Sequence, residues 1–384
     1  MTIRTALVTL LAIALFAWFL SRANLSGVAA EIARARMDLI VWSFVIGVVM
    51  PVVRAVRWRY LLDPVGPTRF GAVLRATIIG FAALALLPAR AGDVIRPYLV
   101  ARTERLNIAS VFATIVMERA LDIIVVLTLL ASFVWLFDGR AILSPAVLAP
   151  IQASATLAGG LVIVLMLVMW TLATHPERIE RLVAGSDRVL PRPVAHTLAR
   201  LARTFSEGFA VAREPRDLAI AFVLSFPLWV SIAFQAWLVT RAFGIAIPMA
   251  ASFLIQAMLV IGVAVPTPGA VGSFHEAYRI AVTTFFHAPN NAAVSAALVL
   301  HAVSFVTSLV PGVVVMARDG MSVGGLGRLA GAARDDEGAL SETLDGAPGE
   351  SLDGARGTPL GHDRGEKTAG ASADEMPVLR PSGR

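Results

Sequence analysis

Apolar residues along this chain gather into long runs near 5–21, 37–53, 108–137, 147–173, 218–240 and 292–317. A run of about 18 or more apolar residues is long enough to cross a bilayer as a helix. The pattern therefore predicts six full membrane spans. Two further runs are less regular. Ala76–Ala89 is followed at once by Arg90, and Met249–Pro266 is followed by "TPGAVGSFHEAYR". Runs of about 10–14 residues more often form re-entrant, interfacial or core segments than spans.

The positions of arginine decide how these two runs are read. Residues 54–75 hold five Arg, 89–109 hold four and 174–217 hold eight. Residues 138–147 hold only Arg140, and 241–291 hold only Arg241 and Arg279. Cytoplasmic loops carry the excess of basic residues. If Ala76–Ala89 crossed the membrane, two Arg-rich segments would lie on opposite sides. If it enters and returns, all three Arg-rich segments are cytoplasmic and the Arg-poor ones lie outside. Treating 249–287 as a second hairpin, entering from outside, also places both termini inside. The expected fold is an all-α polytopic membrane protein with about six transmembrane helices and two re-entrant hairpins; eight ordinary spans is the competing reading.

The two hairpins share a pattern. Pro88, Gly92, Asp93 and Arg96 in the first correspond to Pro268, Gly272, Glu276 and Arg279 in the second. In each, Gly follows Pro by four residues, and Arg follows the acid by three. Opposite entry with a shared pattern predicts an inverted repeat, as in many secondary transporters.

Composition agrees with a membrane protein. The chain is 57% hydrophobic and 16% charged, against about 45–50% and about 25% for soluble domains. Lys367 is the single Lys, so the net charge of +6 is carried by Arg. In a polytopic protein this reads as a cytoplasmic-side bias beside anionic lipid, not as a nucleic-acid surface. There is no Cys, which excludes disulfides, thiolate metal sites and Cys nucleophiles. With only six His, no metal site or cofactor is predicted, and no Walker A, H-E-x-x-H or dinucleotide motif occurs. The N-terminal stretch looks like a signal peptide, but Ser21-Arg22 replaces a small-residue cleavage site, so an uncleaved first helix is expected. Residues 1–318 form the membrane domain. Within it, 177–216 is a cytoplasmic amphipathic insert with Leu198, Leu201, Phe205 and Phe209 on one face. Residues 319–384 read as a disordered polar tail.

Ionisable residues inside a membrane are functional candidates by default. "TIVMERALDIIVV" places Glu118, Arg119 and Asp122 deep within the run 108–137. Glu118 and Asp122 share a helical face, and Arg119 reaches Asp122 at i, i+3. Arg90 and Arg96 flank Gly92-Asp93; guanidinium forks suit phosphate, and a broken helix frees backbone N–H groups for an anion. In the second hairpin Pro266, Pro268, Gly269 and Gly272 break the helix, which is tolerated at membrane depth only when buried in protein or lining a wet cavity. Glu276 and Arg279 follow, with His275 as a polar or titrating residue and His301 as a helix–helix hydrogen bonder. "RAVRWRYLL", from Arg54 to Leu62, suits an interfacial anchor through Arg54, Arg57 and Trp58.

Taken in order, "RAVRWRYLL", "LLPARAGDVIRPYLV", "MERALD" and "VPTPGAVGSFHEAY" resemble the transmembrane flippase region of the lysylphosphatidylglycerol synthase family. The resemblance covers about residues 1–318. It implies a multi-pass protein of the bacterial cytoplasmic membrane that moves a polar lipid between leaflets, with membrane lipids (an anionic phospholipid, or a polyprenyl or hopanoid-type lipid) as partners, no nucleic acid, and a homo-oligomer left open. Asp93 fills the acidic place of the first motif, whereas Ala270 stands where a second Gly is common. The family's full-length synthase adds a soluble aminoacyl-transfer domain, so lipid aminoacylation is not expected of this chain. On this reading Arg90, Arg96 and Arg279 bind a phosphate-bearing headgroup, Asp93, Glu118, Asp122 and Glu276 balance charge or carry a proton, and Arg119 belongs to the same substrate-binding set. The alternatives are a membrane-embedded lipid-modifying enzyme, using Asp93 with His275, and a non-transporting scaffold for lipid or cell-envelope synthesis.

Overall fold

The computed structural model describes residues 3–21, 24–87, 91–136, 215–265, 267–322 and 324–332, with short helical pieces between 149 and 167. Pro88, Arg90, Pro266, the insert up to residue 214, most of the run 147–173 and residues 333–384 lie outside these. The principal helices, in chain order, are α1 (Ile3–Ser21), α2 (Leu25–Arg34), α3 (Met37–Leu62), α4 (Phe70–Leu86), α5 (Gly92–Glu104), α6 (Ile108–Trp135), α7 (Pro215–Ala242), α8 (Ser252–Ala264), α9 (Ser273–Phe286) and α10 (Asn290–Arg318). No strand occurs among the described residues. Among the described residues three helices, Met37–Leu62, Arg216–Ala242 and Asn290–Arg318, are long and apolar enough to cross a membrane. The helices α1 and α2 meet at an 80° bend, where Asn24 caps α2 by accepting from the Ser26 and Gly27 amides. The chain is an all-α polytopic membrane protein.

Between the long helices lie two helical hairpins. In the first, α4 runs to residue 86 and α5 returns against it. The contact is so close that a Cβ on Gly92 would collide with the Gly80 carbonyl oxygen. Further from the tip, Arg69 pairs with Glu104. In the second, α8 and α9 pack the same way, with the ideal Cβ position of Gly262 only 2.6 Å from Ala277 Cβ. At about 1.5 Å per residue, limbs of 13 to 17 residues rise about 20–25 Å, short of the hydrocarbon thickness of about 30 Å.

The long helix α10 shows how the hairpins are directed. Arg75, near the start of α4, pairs with Asp319 just past the end of α10. Midway along α4, Ala82 lies against Gly312. At the tips, a Cβ on Gly269 would lie 3.5 Å from both the Ala85 carbonyl and the Phe305 ring. On α9, Arg279 donates to Asn290 at the opposite end of α10, at 3.2 Å. The hairpins therefore enter from opposite ends of α10, and their tips meet near its middle. The helices that precede them, α3 and α7, are antiparallel. Gln235 Nε2 donates to the Ser43 carbonyl at 2.8 Å, and Arg57 Nη1 donates to Ser225 Oγ at 2.9 Å. The order long helix, hairpin, long helix thus occurs twice, with its leading helices inverted, as the Pro–Gly pattern predicts.

One boundary differs from the sequence reading. Residues 324–332, assigned there to a disordered tail, are helical. Leu326 is fully buried in a cluster with Ile79, Ile95 and Met316. Leu326 and Leu329 are the two Leu of a short Gly-rich segment, too few to set up a periodic signal, so the contact was not visible from the chain alone.

Candidate functional site

The charged residues of α6 form the centre of a buried ionic network. Glu118 is fully buried and accepts two parallel hydrogen bonds from Arg96 of α5, each 3.0 Å. Such a bidentate pair is the strong geometry for a guanidinium and a carboxylate. Arg57 of α3 is also fully buried. It lies 2.6 Å from Asp122 and 3.2 Å from Glu118, so it bridges the two acids that share a face of α6. Asp122 also accepts from Trp229 Nε1 of α7 at 2.8 Å and from Arg119 at 3.3 Å. Arg119 reaches on to Asp93 at 2.9 Å. The Arg96 guanidinium lies over the Trp58 ring, 3.8 Å from its centre, and Trp58 Nε1 donates to Thr114 at 2.9 Å. Charges taken out of water are tolerated only when paired with good geometry. This network supplies that pairing and ties α3, α5, α6 and α7 together.

Beside the network lies a cavity of about 700 Å³, a size typical of small-molecule sites. Its polar lining carries Arg54, Arg119, Asp122, Gln235, Gln256 and His301, with the hydroxyls of Thr267, Ser304 and Ser308. The remaining lining is apolar, from Leu84 and Ala85 of the first hairpin to Val265 and Phe274 of the second. Ile123 of α6 and Ile261 of α8 line the cavity and are exposed among the described residues.

The loop between α8 and α9 forms the cavity floor. Gly269 and Ala270 both have left-handed backbones, with φ of 59° and 55°. Gly272 has φ 85°, and a Cβ there would lie 2.6 Å from Leu15 Cβ of α1. His301 Nε2 hydrogen-bonds the Gly269 carbonyl at 2.8 Å. His275 Nδ1 accepts from the Gly272 amide at 3.2 Å, and its ring lies among Phe16, Phe19, Phe274 and His301. The two histidines hold the broken segment in place.

The structure divides the predicted site residues. Asp93, Arg96, Glu118, Arg119 and Asp122 come together, with Gly92 at the hairpin contact that carries α5. Of these, Arg119 and Asp122 border the cavity, whereas Arg96 and Glu118 satisfy each other behind it. Gly269 lines the cavity floor; Pro268 precedes it and Gly272 packs on α1. Glu276 and Arg279 are elsewhere. They form their own bidentate pair at 2.8 and 2.5 Å, and Arg279 also meets Asn290. The pairing of Asp93 with His275 does not form: Asp93 meets Arg119, and His275 serves the Gly272 loop. Arg57 and Trp58, read as interfacial anchors, are instead fully buried, because α3 continues to Leu62 and turns them into the network.

The profile of the family described as "Lysylphosphatidylglycerol synthase TM region" matches residues 3–312. The chain belongs to that family. Its matched region contains both hairpins, the ionic network and the cavity. The chain is also similar to a protein named glycosyltransferase AglD from Haloferax volcanii, with 26% identity over 330 residues, covering 80% of this chain and 52% of that protein. The chain therefore spans about half the length of that relative.

The sequence reading missed two cavity residues, Gln235 and Gln256. Each is an amide inside an apolar helix, and that contrast was the available signal. It also placed Arg54 in an anchoring belt, although Arg54 faces the cavity.

Proposed function

We propose that this membrane protein moves a polar or anionic lipid between the two leaflets of a bacterial cytoplasmic membrane, with both termini on the cytoplasmic side. The reading is carried by one observation: a cavity lined by both charged and apolar side chains lies where two oppositely directed hairpins meet. A headgroup would enter the polar side while its acyl chains stay in the bilayer. The short hairpin limbs would be re-entrant, so that the broken backbone lines the cavity and does not meet lipid tails, as a non-helical loop at membrane depth requires. Arg119 and Asp122 would contact the headgroup. Arg96, Glu118 and the Glu276–Arg279 pair would hold the two hairpins to the bundle.

Membership of the lysylphosphatidylglycerol synthase transmembrane-region family supports a lipid-related role. The relative named as a glycosyltransferase keeps a second reading, in which the cavity holds a lipid for modification. The two differ in one assay. Purified protein in liposomes carrying a fluorescently labelled phosphatidylglycerol should make inner-leaflet label accessible to external dithionite, with or without an imposed proton gradient. Accessibility equal to that of protein-free liposomes under both conditions would overturn the transport reading.

A further inference from the structure

Past the end of α10 lies a short helix that its own sequence does not favour. Residues 324–332 are helical, yet Gly324, Gly325, Gly327 and Gly331 stand among them. Glycine inside a helix is destabilising relative to alanine, and a helix this short is marginal in isolation even with good helix formers. Neither space nor backbone asks for glycine here. A Cβ on Gly327 or Gly331 would meet nothing within 4 Å, and neither residue has a positive φ.

Docking holds this helix. Leu326 and Ala330, one turn apart, are buried in one apolar cluster with Ile79 and Ala83 of α4, Ile95 of α5 and Met316 of α10. Leu329 packs against the same cluster. The first hairpin supplies most of the cluster, and no residue of α8 or α9 belongs to it. The joint leading into the helix is fixed as well. Asp319 pairs with Arg75 of α4, Gly320 turns the chain with φ 67°, and Ser322 Oγ accepts from the Gly325 amide at 3.1 Å as a cap. The ion pair and the apolar anchor both lead back to the first hairpin.

We infer that residues 319–332 form a detachable strap: docked, it holds the first hairpin against α10; released, it loses its helix and lets that hairpin move. A weak helix on a firm apolar anchor has two opposed tendencies. Leu326 and its neighbours favour the docked form, and the glycines favour the released one. Segments that open ahead of the rest of a fold are drawn from such low-stability elements. The inference goes beyond the transport reading, because hairpin mobility is measured without any lipid being moved.

Amide hydrogen exchange on the purified full chain in detergent, followed by mass spectrometry of peptides from both hairpins and from 319–332, tests the strap. Leu326→Ala weakens the anchor. It should speed exchange in the strap, and in α4 and α5, by about tenfold or more, with α8 and α9 unchanged. The double variant Gly327→Ala with Gly331→Ala strengthens the helix without touching a neighbour. It should slow exchange in the same segments by roughly tenfold. If Leu326→Ala fails to fold, Arg75→Gln, which removes the Asp319 ion pair, should act in the same direction by a smaller factor. Exchange in α4 and α5 that ignores both the weakened and the strengthened strap would overturn the inference. So would Leu326→Ala speeding both hairpins alike, since Leu326 would then be a core residue of the whole bundle. The same proteins in liposomes separate the strap from transport. Faster flipping by Leu326→Ala and slower flipping by the double variant would extend the strap's control to lipid movement. Absence of flipping in every protein, wild type included, would remove the transport reading and leave the strap standing on the exchange data.

Discussion

Arg96 and Glu118 meet through two parallel 3.0 Å hydrogen bonds, joining the returning limb of the first hairpin to the centre of α6. Both residues are buried. Removing one partner would leave the other charge uncompensated. Arg96→Ala or Glu118→Ala should each destabilise the fold by about 3–5 kcal/mol, read as a lower melting temperature in detergent. Replacing both together, Arg96→Met with Glu118→Leu, should cost less than the two single changes summed. A single Glu118→Ala variant that melts with the wild type would show that the pair does not hold the hairpin.

Gly92 tests the first hairpin by packing alone. Any Cβ at this position collides with the Gly80 carbonyl, which is backbone and cannot rotate away. Gly92→Ala should therefore push α5 off α4 and cost more than the roughly 1–3 kcal/mol usual for overpacking. Gly71, at the open end of α4, has nothing within 4 Å of its Cβ position. Gly71→Ala should be neutral or stabilising by up to about 1 kcal/mol. Melting curves of the two variants side by side check the contrast.

The second hairpin offers an opposite test. Ala270 holds a left-handed backbone, which costs a side chain about 1–2 kcal/mol. Ala270→Gly should relieve part of that strain and raise the melting temperature. Gly272→Ala should lower it, because its Cβ would clash with Leu15 as well as strain the backbone. An unchanged melting temperature in both variants would contradict the loop geometry.

Much of this arrangement was legible in the chain. The Arg bias and the Pro–Gly breaks marked both hairpins and their opposite directions, because they follow from local chain properties and from which side basic residues prefer. Glu118, Arg119 and Asp122 stood out as charges inside an apolar run. What was not legible depends on which helix faces which. Arg57 and Trp58 end an apolar run in the sequence and look interfacial, yet α3 carries them inward to meet α6. Arg279 matches Arg96 in the motif, but Arg96 finds Glu118 across the bundle, whereas Arg279 finds Glu276 on its own helix. Gln256 had a visible signal, a polar amide in an apolar run; only its position against Arg54's cavity gives that signal meaning.

The central claim is that a lipid headgroup passes through the cavity between the hairpin tips. The chain has no Cys, so a single Ser304→Cys change places one thiol on the cavity wall. In liposomes with labelled phosphatidylglycerol, reacting that thiol with a bulky alkyl methanethiosulfonate, which leaves the alkylthio group as a mixed disulfide and releases methanesulfinate, should abolish flipping, and reduction of the disulfide should restore it. Complete modification with flipping unchanged would show that the lipid takes another path.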